Sequence, residues 1–387
     1  MHRKTLIAAT ALLLAACTAS APIDDEPQTM REILDASLEQ GKSFLLANQK
    51  EAGNFEYEYN FKERKLSTDD NQVRQAGALW GLALIHHDNP TVKTREALER
   101  GFAFFLEHSK TLTDGRILIT YPDDDIGGTG TVSLTMLALT EFLRAESSEE
   151  FHKKYAPFHA GLLEFLLSLR KEDGHFYGDY DLDGQGFGAA NPYANGEALL
   201  AMTKAAKYLG YNKLWDEILE SADRMHQTYV TNALNEQPDS NTTKGFYQWG
   251  TMSFFEIATS GEVEPTLFTN WSIDLAKWMI DVHQTLSRTR NTAYAYEGII
   301  SAWELARQAG DQIVVEKLGT VIDEGLRKLT SWQVGGPIPN EYLLTNPTDD
   351  PHAVGGVMNH KEEPQLRIDV TQHQMHAVIM ARKYVYR

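Results

Sequence analysis

FLLSLRKEDGHFYGDYDLDGQGFGAANPYANGEALL, residues 165–200, holds in one run the unit from which the whole chain is built. An apolar helix end runs into a Gly turn, a loop of aromatic and acidic residues follows, and a second helix opens near Asn191. Tyr193 and Glu197 fall one helical turn apart, so both project from one face of that second helix. The loop and the helix start together have the character of the rim of a site.

The same unit recurs. An apolar helix end, a Gly turn and aromatics appear in LLANQKEAGNFEYEY (45–59), FLEHSKTLTDGRILITY (105–121) and LTSWQVGGPIPNEY (329–342). The first three copies are spaced by about sixty residues, a length that holds two helices and their loops. From Met30 onward apolar residues recur at helical spacing and no alternating strand pattern competes, which predicts an all-α chain. About twelve helices are expected, near 30–49, 72–87, 92–109, 130–146, 150–171, 191–209, 211–230, 245–260, 265–286, 292–309, 311–331 and 370–384. After the first helix of each pair the chain runs through a long loop, and after the second it turns within a few residues, as at Leu209-Gly210 and Ala309-Gly310-Asp311. In an antiparallel series the long loops then gather on one face, where sites are commonly built.

Six such hairpins resemble an (α/α)6 toroid, the fold of six-hairpin glycosidases, many polysaccharide lyases, sugar epimerases and the terpenoid-cyclase group. The resemblance spans residues 29–387 as a single domain and implies that the second helix of each pair lines an inner ring. Those helices carry small residues for close packing: Ala76, Gly77, Ala78 and Gly81; Gly196, Ala198 and Ala201; Gly298 and Ala302. A superhelical stack of helical repeats is the alternative architecture. Prenyltransferases and lanthionine cyclases on this fold bind zinc through Cys, and terpene synthases carry acidic motifs that this chain lacks.

The N-terminal residues read as an export signal. His2, Arg3 and Lys4 precede a short apolar run, and Leu14-Ala15-Ala16-Cys17 resembles the bacterial lipoprotein box. That resemblance implies a signal peptide over 1–17, lipidation of Cys17, palmitate included, a tether over 18–28, and a membrane anchor in the cell envelope. Thr18 after the Cys favours the outer membrane where the host has one. Cys17 is the only cysteine, so the domain contains no disulfide and no thiolate metal ligand. A formal charge of −18 argues against nucleic acid and favours a neutral or cationic envelope ligand.

The starts of the inner helices are polar for residues facing the centre of a bundle: DDNQVRQAG (69–77), NPYANGEALL (191–200), KGFYQWGTMSFFE (244–256), NTAYAYEGIISAWE (291–304) and RIDVTQHQMHA (367–377). Asp70, Glu197, Glu297 and Asp369 are the catalytic carboxylate candidates, since glycoside hydrolysis needs two, one protonated and one ionised. His373, three residues before His376, is the candidate proton shuttle near neutral pH. Each of these has a structural alternative, as a helix cap, a partner for Arg74 or Arg367, or a packed core histidine. Tyr180, Tyr193, Trp249 and Tyr294 offer planes on which sugar rings stack, and Arg74, Arg290 and Arg367 offer charge for a carboxylated sugar. Asp179, Asp181 and Asp183 followed by Gly184 repeat the opening of a calcium loop, although Ala190 stands where the closing carboxylate belongs. Calcium is the one cofactor this pattern suggests. The expected function is a lipid-anchored glycoside hydrolase-like enzyme. A uronate lyase or epimerase, or a non-catalytic glycan-binding or scaffolding lipoprotein, is the alternative.

Overall fold

A computed structural model describes residues 28–387, so the lipobox reading at Cys17 lies outside the described residues. The helices are α1 (Met30–Ala47), α2 (Gln72–Asp88), α3 (Val92–Glu107), α4 (Thr129–Ala145), α5 (Glu149–Ser168), α6 (Pro192–Leu209), α7 (Trp215–His226) and α8 (Ala233–Glu236). They continue as α9 (Asn241–Ala258), α10 (Thr266–Asp281), α11 (Ala293–Ala309), α12 (Gln312–Thr330), α13 (Glu341–Thr345) and α14 (Ile368–Tyr384). Neighbour packs on neighbour in a closed circle: α2 on α4, α4 on α6, α6 on α9, α9 on α11, α11 on α14, and α14 back on α2. The remaining long helices form an outer layer, and the architecture is the (α/α)6 toroid.

Two kinds of helix make the two layers. Helix α2 is buried from Gln75 through His86 without a solvent stripe, as a helix enclosed on all sides must be. Outer helix α12 instead buries one face, through Val314, Leu318, Val321, Ile322 and Leu326. Ring closure requires glycine at one contact: a Cβ on Gly81 of α2 would sit 2.4 Å from Cγ of Gln372 on α14.

Helix ends carry chemical stops and starts. Thr29 and Glu32 form a capping box, Asn191 caps α6 ahead of Pro192, and Gly210 and Gly310 end α6 and α11 in the left-handed conformation. The expected helix over 211–230 departs from this pattern: it starts late, at Trp215, passes through a π turn at Gln227–Asn232 and runs on to Glu236. Helix α9 starts at Asn241, ahead of the expected 245, because Ser240 caps it.

The repeated unit has a repeated anchor. Gln49 bridges Phe55, Arg170 bridges Phe176 and Gln333 bridges Val357, each folding the long loop back on the end of its outer helix. Beneath them, Gln75 bonds both backbone groups of Phe55 at 2.8 Å, and Asn195 bonds both of Phe176 at 3.0 Å. A side-chain amide with one donor and one acceptor thus satisfies a buried peptide unit that no sheet covers. Short strands stitch loop to loop. Glu58–Asn60 pairs antiparallel with Gln365–Arg367, joining the first long loop to the last, and Ile126–Gly128 pairs with Asp179–Asp181. The long loops therefore share one face.

Candidate active site

Beneath those loops the inner-helix starts enclose a mouth of two adjoining lobes, about 480 and 200 Å3. Tyr193, Gln248, Asp369 and His373 line both lobes. Three inner helices each send in an i, i+4 pair: Tyr193 and Glu197 from α6, Lys244 and Gln248 from α9, Asp369 and His373 from α14.

Glu197 lies at the depth of the larger lobe, 4 % exposed, with no hydrogen-bond partner among the described residues. Its Oε2 rests over Gly130, where a Cβ would stand 2.3 Å away. Burial pushes the carboxyl up to about 8, against the pull of His373. Glu197 is a neutral acid at pH 7, able to donate a proton.

Glu297, fully buried on α11, stands between two histidines of α14. Its Oε1 accepts from Nδ1 of His376 at 2.8 Å, and its Oε2 lies 3.2 Å from Nδ1 of His373. Burial would raise the Glu297 carboxyl, yet the two imidazoles hold it below its ordinary value. Burial would likewise depress His373, but the Glu297 charge and hydrogen bond lift it above its ordinary value. With Nδ1 directed to Glu297, Nε2 is the nitrogen left for the cavity, and Trp249 packs edge-on at 6.0 Å to hold the ring. A carboxylate behind an imidazole that faces a cavity is the arrangement of an oriented base.

Asp369 is taken by arginines. Arg367 donates to both its oxygens at 3.0 and 2.8 Å, and Nε of Arg74 lies 3.2 Å from Oδ2. Arg74 also bonds the Tyr57 hydroxyl. Asp70 lines neither lobe: it accepts from Tyr121 and Gln75 at 2.7 Å each and ties a loop to α2. Of the four carboxylates, the mouth contains Glu197 and Asp369, Glu297 stands behind it, and Glu197 alone is unpartnered.

The expected binding residues divide. Tyr193, 47 % exposed, together with Trp249, Tyr294, Arg74 and Arg367, lines the mouth. Tyr180 does not: it is fully buried, donates its hydroxyl to the Ile119 carbonyl at 2.9 Å and packs on Phe165, so it belongs to the core. Arg290 is exposed on the rim, where its backbone bridges His360, and lines neither lobe. The loop expected to bind calcium is the tight turn of a hairpin in which Asp179–Asp181 pairs with Gly186–Phe187. Asp181 accepts the amides of Asp183 and Gln185 within its own turn, and Asp183 points to Lys110 at 3.3 Å. No group of three or more His, Cys, Asp or Glu among the described residues is placed to hold a metal. Lys244, Gln248, Asn291 and Asn359 are among the lining residues that sequence reasoning passed over. The i, i+4 spacing of Lys244 and Gln248, matching Tyr193 and Glu197, is the signal that marks two of them.

No protein-family model matches the sequence, and no curated protein matches it. Solved structures share the fold over nearly its full length. A sugar epimerase from a ruminal bacterium superposes with a TM-score of 0.65 at 11% identity, covering 92% of this chain and 99% of its own. A D-mannose isomerase gives 0.62 at 14% identity over 94% of this chain and 100% of its own. An α-mannanase of Bacteroides thetaiotaomicron gives 0.60 at 12% identity over 91% and 96%. At such identities the likeness establishes the toroid and leaves the chemistry to the site itself.

Proposed function

We propose that this protein is a carbohydrate-active enzyme that moves protons on a sugar, with Glu197 as acid and His373 as base, in the manner of an epimerase, isomerase or lyase. One observation carries the reading: a neutral carboxylic acid and an imidazole backed by a carboxylate line the same lobe, with their proton affinities pushed away from ordinary values. A base takes a proton from the carbon beside a carbonyl or carboxyl group, and an acid returns one to carbon or to a departing oxygen. The aromatic plane of Tyr193, with Gln248 beside it, provides the stacking and polar contacts that a sugar ring uses. Neighbours of the same fold that act on sugars support the substrate class.

Hydrolysis by paired free carboxylates has less support, because Asp369, the partner available to Glu197, already accepts from Arg367 and pairs with Arg74. Incubating the chain with oligosaccharides in D2O separates the two. Carbon-bound deuterium in an epimerised or isomerised product, or a carbon–carbon double bond in a cleaved one, each lost in Glu197→Gln and His373→Asn, is the expected result. A new reducing end with neither carbon-bound deuterium nor a carbon–carbon double bond would instead make Glu197 the acid of a glycosidase, and the proton-transfer reading would fall.

The lipobox residues support a place in the cell envelope, tethered through Cys17. Among the described residues no helix is long and apolar enough to cross a membrane. Cys17→Ser should move the protein from the membrane to the soluble fraction on cell fractionation. Retention in the membrane fraction would refute the lipid tether.

A further inference from the structure

The chain carries a formal charge of −18, yet its mouth has the opposite sign. Three cations line the two lobes, Arg74, Lys244 and Arg367, against one ionised carboxylate, Asp369. Glu197 adds no charge while it is protonated, and Glu297 stands behind the mouth, held between His373 and His376. Arg74 and Arg367 also feel the Glu58 carboxyl, so Lys244 is the cation left without an internal counterpart. Asp369 is already shared between both guanidiniums. The Lys244 ammonium makes no ion pair and no hydrogen bond among the described residues, and it lies 6.0 Å from the centre of the Tyr294 ring. Asp239, whose charge reaches Tyr294, is itself bonded to His283 at 2.7 Å and paired with Arg288.

An unpartnered lysine one helical turn from Gln248, in the lobe that adjoins the reactive one, is placed to meet a ligand rather than to hold the fold. Asn291 and Asn359 complete that lobe with neutral hydrogen-bonding groups. From this we infer that the substrate is an anionic saccharide, carrying a carboxylate or a sulfate, and that Lys244 receives its charged group. A cation in a cleft with low-dielectric walls acts more strongly than one on an open surface, so the local field prevails over the acidic exterior at contact distance. The inference rests on the carbohydrate reading and adds the charge of the substrate to it.

The test uses the full chain and three matched disaccharides: digalacturonic acid, neutral galactobiose, and galactobiose sulfated on its outer sugar. Binding is measured by calorimetry at low and high salt, for wild type, Lys244→Met and Lys244→Arg. The anionic sugars should bind more tightly than galactobiose and weaken as salt rises. Lys244→Met should weaken them about tenfold or more, the scale of a charge-assisted contact, and leave galactobiose unchanged, while Lys244→Arg should retain most of the affinity. The uronate and the sulfated sugar, compared with each other, assign the charged group. Tighter binding of galactobiose, or anionic binding indifferent to Lys244→Met, would overturn the inference and leave the carbohydrate reading standing. Failure of all three sugars to bind would overturn both, because a carbohydrate site of this size should register at least one of them.

Discussion

Glu197 and His373 decide what the mouth can do, and both owe their state to a neighbour. The carboxyl of Glu197 needs Gly130 beneath it and the absence of any partner, and the imidazole of His373 needs Glu297 behind it. Activity through Glu197 as acid should fall as pH rises past about 8, and activity through neutral His373 should fall as pH drops toward a value above 6.5. The profile of kcat/KM is therefore expected to be a narrow bell, and the residual activity of Glu197→Gln should lack its alkaline limb. Stability carries the same sign. A carboxyl whose folded value lies above its unfolded 4.5 contributes stability that is present below 4.5 and lost as pH rises through 8, so Glu197→Gln should gain on wild type across that window in urea unfolding. A constant gap across pH 4.5–8 would show that Glu197 is ionised in the fold. The sequence placed Glu197 and His373 at the starts of inner helices. It could not separate Glu197 from Asp369, because whether a carboxylate meets an arginine depends on the side chains that the ring brings together.

At the far end of the toroid the inner helices meet around a cavity of about 290 Å3, where charge serves the packing of helix on helix. Lys204 of α6 reaches Glu141 of α4 at 2.5 Å and Glu256 of α9 at 3.4 Å. Burial would raise Glu141, but Lys204, His87 and Arg144 hold it far below its ordinary value. A depressed carboxylate contributes stability present above pH 4.5 and lost on acidification. Lys204→Met should cost about 1.5–3 kcal/mol, the scale of a charged hydrogen bond, because it takes one cation from two buried carboxylates and leaves Glu141 to Arg144 and Glu256 to Lys207. Unfolding in urea at pH 7 reads the loss, and adding Glu141→Gln should recover part of it. An unchanged midpoint would mean that Arg144 and Lys207 suffice. These helices were legible from apolar spacing alone, with ends within a few residues, because each is long and buried. The loop strands were not. Glu58–Asn60 and Gln365–Arg367 are three residues each and separated by most of the chain, so no local period reveals their pairing. The amide anchors Gln75 and Asn195 were equally hidden, since a polar residue in an apolar helix reads the same whether it faces a ligand or a peptide group.

The molecule as a whole is a ring, and a ring is only as good as its last contact. Helix α14 closes on α2 across Gly81, and the same helix carries Asp369 and His373 into the mouth and His376 against Glu297. Fold and site are thus joined through one element from the end of the chain. Gly81→Val would press a side chain into Gln372, whose Cβ would be only 2.9 Å and Cα only 3.3 Å from the added Cβ, so backbone as well as side chain must yield. Overpacking of this kind costs about 1–3 kcal/mol. If the ring unfolds as one unit, Gly81→Val should lower the urea midpoint in a single transition, with far-UV ellipticity and tryptophan fluorescence moving together. The shift of α14 should also reduce activity by displacing His373, although Gly81 itself lines neither lobe. Two separated transitions would show that α14 docks independently of the other inner helices. In that case the alignment of His373 with Glu297 would depend on a docking step rather than on the closed ring.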